Sequence, residues 1–189
     1  MFIDIDYKKR IKKTRIHIAK PNKQIISHIY EYYDGQVDLE LGNINELEFS
    51  MPYKVESYDG TELVHNKNVD LIRSKMLLKV SMGNYMEEWF VVDEFEESGE
   101  EKDVLHVTAK SLPYELKNKR ISGLVVEAGN PEELLDIFLK GTLWKVKHID
   151  DVFLGMYRLF ESGDNSNSLN CITEMAKTFG ALILWDTKN

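Results

Sequence analysis

Hydrophobic residues recur at every second position through the first two thirds of the chain. "FIDIDY" (2–7) alternates strictly and predicts a strand, and Thr14, Ile16 and Ile18 repeat the pattern up to Pro21. Residues 25–41 read as a hairpin, with Asp34–Gly35 as its positive-φ turn and Val37, Leu39 and Leu41 sharing one face. Gly42 and Asn43 break the alternation. Leu47, Phe49 and Met51 resume it, with Glu46, Glu48 and Ser50 opposite, until Pro52 removes a ladder donor. A turn at Asp59–Gly60 and a short helix or loop after Asn68 come next. A meander follows over 75–82, 85–95 and 103–110, with a turn at Gly83–Asn84 and the acidic loop "EESGEEK" (96–102). "SLPYELKNK" (111–119) predicts one or two helical turns with Ser111 as N-cap.

The period changes after "ISGLVVEAGN". "NPEELLDIFLKG" (130–141) has an Asn cap, Pro at the first helical position, two early acids and a closing glycine. "LNCITEMAKTFG" (169–180) is a second amphipathic helix. Each is followed by an apolar segment with one Trp and a terminal Asp: "TLWKVKHID" (142–150) and "ALILWD" (181–186). Both segments read as strands, in a weak internal repeat. The class is therefore α+β and mainly β. A strand-rich domain occupies 1–122, and a small α/β subdomain starts over 123–189. The last residues, "DTKN", have a turn composition that leads into a returning strand, which predicts a fragment of something longer.

Composition narrows the function. At 43% hydrophobic and 30% charged the chain is globular. A net charge of −8 argues against nucleic acid as the main partner. The charge is uneven: residues 1–23 carry a local +6, the rest −14. Lys8, Lys9, Arg10, Lys12 and Lys13 make a basic turn that reads as a solvated hairpin tip or as a surface docking on an acidic face of another subunit. The Glu46/Glu48 face is the candidate acidic counterpart. One cysteine, Cys171, excludes an internal disulfide and a thiolate cluster. No secretory leader is visible, and the longest aliphatic-aromatic run, "ALILW", is far shorter than the ~20 residues of a span. These features predict a chain made in the cytoplasm without a membrane span.

Catalytic patterns are missing from the sequence. It has no G-x-S-x-G, Walker loop or G-x-G-x-x-G, and its five histidines lack metalloprotease spacing. His148, Asp150 and Asp151 do not share one strand face. "EESGEEK" lacks the ligand spacing of a calcium loop. Trp89, Trp144 and Trp185 read as core, with Glu87 and Glu88 as the sequence neighbours of Trp89. No catalytic, metal or cofactor residue is expected.

Five segments in order carry a resemblance: "INELEFSMP" (44–52), "EEWFVVDEFEESGEE" (87–101), "TAKSLPYELKNKRI" (108–121), "FLKGTLWKVKHID" (138–150) and "MAKTFGALILWD" (175–186). The chain resembles the N-terminal region of phage and prophage tail-tip hub proteins, a family also described as prophage tail endopeptidases, tail-associated lysins or phage minor structural proteins, and similar to the contractile-phage baseplate hub. The resemblance implies a β-barrel-like domain with an inserted α/β domain. It also implies a non-enzymatic module that forms trimers in the full-length protein, contacts distal tail and tail-tube proteins, and resides at the virion tail tip. Any lytic activity in that family lies in later domains. The competing reading is a cell-wall hydrolase or its binding module, which needs a catalytic pair or a polar aromatic groove.

Overall fold

The computed structural model describes residues 14–83, 86–98 and 103–188. The strand expected over 2–7 and the basic residues Lys8, Lys9, Arg10, Lys12 and Lys13 lie outside these. Two compact units are present: residues 1–38, 45–112 and 187–189, and residues 39–44 and 113–186.

The first unit is built on β1 (Arg15–Ala19), β2 (Ile25–Ile29), β3 (Tyr33–Asp38), β4 (Glu46–Pro52), β7 (Leu77–Met82), β8 (Met86–Ser98) and β9 (Val104–Ser111). They form one antiparallel sheet in the order β2-β1-β7-β8-β9-β4-β3. A small hairpin, β5 (Lys54–Glu56) with β6 (Leu63–His65), turns at the expected Asp59–Gly60. Period-two alternation does what it should. Ile16, Ile18, Leu47, Phe49, Met51, Leu78, Val80, Phe90, Val92, Leu105, Val107 and Ala109 enter one core. A smaller cluster of Ala19, Leu77 and Trp89 covers part of the opposite face.

The mainly β class holds, but the hydrogen-bond ladder does not close into a barrel: β2 and β3 are its two edges among the described residues. These edges are consecutive in sequence. Residues 30–32 can span at most ~14 Å between them. Six inter-strand spacings laid flat would put the edges ~29 Å apart. The sheet must therefore curl until its edges approach. Tyr32 in the short link supports this, for its hydroxyl donates to the Thr14 carbonyl (3.2 Å) and its ring meets Phe49 of β4 edge-on at 6.2 Å.

This arrangement corrects the expected 25–41 hairpin. Asp34 (φ 53°) sits inside β3, and the register shifts between Tyr33 and Gln36, so Asp-Gly makes a bulge and not a turn. The strand ends at Asp38, leaving Leu39 and Leu41 exposed instead of on one strand face with Val37. Ser111 also departs from expectation. Its hydroxyl accepts the Asn45 N–H (3.1 Å), and its own N–H donates to the Asn45 carbonyl (2.8 Å), tying β9 to the start of β4.

In the second unit α1 (Pro131–Leu139) starts with a complete capping box. Asn130 Oδ1 accepts the Glu133 N–H (2.9 Å), and Glu133 accepts the Asn130 N–H (3.3 Å). The end of α1 is satisfied by groups distant in sequence. Lys119 Nζ donates to the Ile137 and Phe138 carbonyls, and Ser168 Oγ to the latter. After the short α2 (Asp151–Leu154), α3 (Ser168–Phe179) ends at Gly180 in the left-handed region (φ 67°). The antiparallel pair of β10 (Val125–Gly129) and β11 (Arg158–Glu161), with α1 and α2 between them in sequence, completes the regular structure among the described residues. Leu116, Leu134, Phe138, Phe160, Cys171, Ile172, Met175 and Phe179 form the core. The strands expected over 142–150 and 181–186 join no ladder. Trp144 and Trp185 still turn inward and meet edge-on at 5.5 Å, as core residues should.

Candidate functional site

The outer face of the seven-stranded sheet carries the polar residues that the alternation excludes from the core. Cross-strand register sorts them by charge. On the β3 side, Gln36, Glu48, Thr108 and Glu94 form one row. The next holds Asp38, Glu46 and Lys110. Glu46 is already paired with Lys110 Nζ at 2.5 Å, both half-buried, so the exposed Asp38, Glu48 and Glu94 present the outward negative charge. Glu97 accepts a hydrogen bond from the Tyr53 hydroxyl (2.8 Å). Burial first, and that carboxylate second, push the Tyr53 phenol up to about 12.

On the β2 side a different row crosses the same face: His28, His17, Lys79 and Trp89. Lys23 and Lys79 each place an ammonium 5.7 Å from the Trp89 ring centre. Lys79 also pairs with Glu87 at 2.9 Å. The surroundings of Trp89 are thus cationic, although its sequence neighbours are acids. Glu88 points to the other face, where it is 8% exposed and both its oxygens accept from Asn45 Nδ2 (3.1 and 3.0 Å). Burial raises its pKa, partly offset by the Asn45 and Ser111 hydrogen bonds.

The other polar constellations are chemically modest. Ser50 Oγ and Ser98 Oγ each lie 2.7 Å from one nitrogen of His106. Both ring nitrogens are occupied by hydroxyls and Ser50 is buried, so the chain ties β4, β9 and β8 together without the carboxylate a nucleophile's base would need. His148–Asp150 (3.0 Å) and His65–Asp70 (2.9 Å) are exposed pairs. Among the described residues no three His, Cys, Asp or Glu side chains gather as metal ligands. Burial raises the pKa of the Cys171 thiol. No described helix is long and apolar enough to cross a membrane.

This fold is that of prophage tail proteins. The prophage tail protein gp18 from Listeria monocytogenes EGD-e superposes with a TM-score of 0.65 at 14% identity, over 92% of this chain and 48% of that one. The 43 kDa tail protein of prophage MuSo2 from Shewanella oneidensis gives 0.56 at 14% identity, over 90% and 53%. In sequence, residues 18–109 match the model of the YOMG N-terminal domain. The SPbeta prophage-derived uncharacterized protein YomG of Bacillus subtilis (strain 168) is 28% identical over 172 residues. That match covers 91% of this chain and 19% of YomG. The chain resembles a phage tail-related N-terminal region, as its five ordered segments implied. It spans about half the length of the solved tail proteins and about a fifth of the curated relative.

Proposed function

We propose that the chain is a structural, non-enzymatic assembly module of a phage or prophage tail. More finely, we place it in the tail-tip or baseplate hub, where copies join in a ring between tail tube and tip. One observation carries the reading: a curled sheet of prophage-tail-protein fold bears acids near edge β3 and cations with histidines near edge β2, on one outer face. A curled surface that carries its acids and its cations on different strands suits head-to-tail contact between copies, and such contacts form a ring where the rotation between copies closes. Glu48 and Glu94 are the proposed acidic contacts. Arg15 and Lys79, with Lys8, Lys9, Arg10, Lys12 and Lys13 preceding them, are the proposed basic ones. Glu46 supports the acidic end through its pair with Lys110.

Light scattering of the full-length protein, with mass spectrometry of purified tail particles, tests this. A trimer that weakens as salt rises, in a protein found at the tail tip, is the expected result. A strict monomer absent from tail particles overturns it. Clearing of peptidoglycan by this region in a zymogram overturns the non-enzymatic part.

A further inference from the structure

The His17–His28 pair lies within the basic part of the outer face, and its ring nitrogens have no ligand role in the proposed docking. The two residues face each other across β1 and β2 in direct register, and their rings lie 4.0 Å apart at 61°. His17 is half-buried and its Nδ1 lies 3.4 Å from the Lys79 carbonyl, a weak contact that favours the Nδ1–H tautomer. That tautomer leaves Nε2 with a free lone pair. A carbonyl accepting from the far nitrogen is the usual support behind a metal-bound imidazole. His28 is exposed on an edge strand, and its ring packs against His17 and, at 5.8 Å, Tyr30. Burial, and then the neighbouring His28, lower the pKa of His17.

We propose that His17 and His28 form a two-histidine site for a borderline divalent transition ion such as Zn2+, which clasps edge strand β2 to β1. Two imidazoles sharing an ion at ~2.1 Å have ring centres roughly 5 Å apart. A side-chain rotation of the exposed His28 reaches that spacing from 4.0 Å. Water fills the remaining positions on the open side. Imidazole nitrogen selects Zn2+, Ni2+ or Cu2+ over Mg2+ and Ca2+, which take oxygen ligands. Arg15 and Lys79 lie close enough to disfavour a cation, and the Lys79–Glu87 pair offsets one of them. The site is accordingly one of modest affinity.

The test is calorimetric titration of tag-free protein with ZnCl2 at about pH 7.5 and about pH 5.5, where imidazole protonation competes with the metal. One Zn2+ per chain should bind at the higher pH and weaken at the lower. His28→Ala and His17→Gln should each cut the affinity about tenfold or more, as loss of a ligand requires. Zn2+ should also slow hydrogen exchange at the β2 amides in the unmutated protein only. Absence of binding at the higher pH overturns the proposal. So does binding that survives His28→Ala, which would place the ion at His65–Asp70 or His148–Asp150.

Discussion

The two units bury their cores by different means. In the first, seven paired strands place one residue in two inward, so a few short alternating runs enclose a continuous core. In the second, two helices and a two-stranded antiparallel ladder supply the core, while residues 142–150 and 181–186 join no ladder. These segments leave Leu143 93% exposed, Leu182 56% and Leu184 74%. A sheet satisfies backbone and side chains together. A segment outside a ladder leaves its backbone groups to turns, side chains and water.

The largest test of this contrast is one truncation in each core. Phe90 and Phe138 are both fully buried. Phe90→Ala should cost ~3–5 kcal/mol, because its strand is held on both sides by β7 and β9 and cannot collapse into the cavity. Phe138→Ala should cost ~3 kcal/mol, nearer the low end, since α1 is bounded by turns that can shift. Denaturant unfolding followed by tryptophan emission separates them: Trp89 reports the first unit, Trp144 and Trp185 the second. Equal losses with one shared transition would mean that the two architectures do not differ in rigidity.

Legibility from sequence also differed between the units. Period-two burial in β1, β4, β7, β8 and β9 is a local property, and it was readable at Leu47, Phe49 and Met51 residue by residue. So were both long helices, whose caps Asn130 and Gly180 are local chemistry. Pairing is not local. Asp34–Gly35 has the composition of a turn, yet the sheet uses it as a bulge, because β3 pairs with β4 and not with β2. "TLWKVKH" and "ALILWD" have strand composition, but alternation shows only which side chains turn inward, not whether a ladder partner exists. The candidate surface was read in part. Glu48 faces outward as expected, while the Glu46–Lys110 pair and the His17–His28 pair depend on cross-strand register that no single strand encodes.

A smaller effect concerns the buried carboxylate of the first unit. Glu88 has a folded-state pKa above its ordinary value of 4.5. Between those two values the folded chain holds more proton than the unfolded one, so this group's contribution to stability falls as pH rises through that window. At neutral pH the buried charge is a cost, and acidification relieves it. Glu88→Gln keeps one acceptor for Asn45 and removes the charge. We expect the variant to gain at most ~1 kcal/mol at pH 7. Its advantage should shrink as pH falls toward the ordinary glutamate value. Urea midpoints at several pH values measure this directly, and an advantage that grows on acidification contradicts the assignment.

The smallest effect bears on the second unit's segment 181–186, which joins no ladder. Leu182 and Leu184 point away from the core, while Ala181, Ile183 and Trp185 pack against it. Exposed side chains gain little from folding, so Leu182→Ser with Leu184→Ser should change stability by less than ~0.5 kcal/mol. The same pair of substitutions should reduce self-association at high concentration, because it removes exposed apolar surface. Chemical denaturation and sedimentation velocity read the two quantities separately. A stability loss above ~1 kcal/mol would mean that something covers these leucines in solution. The second unit would then bury both faces of this segment, and its difference from the sheet would lie in what supplies the cover, not in whether cover exists.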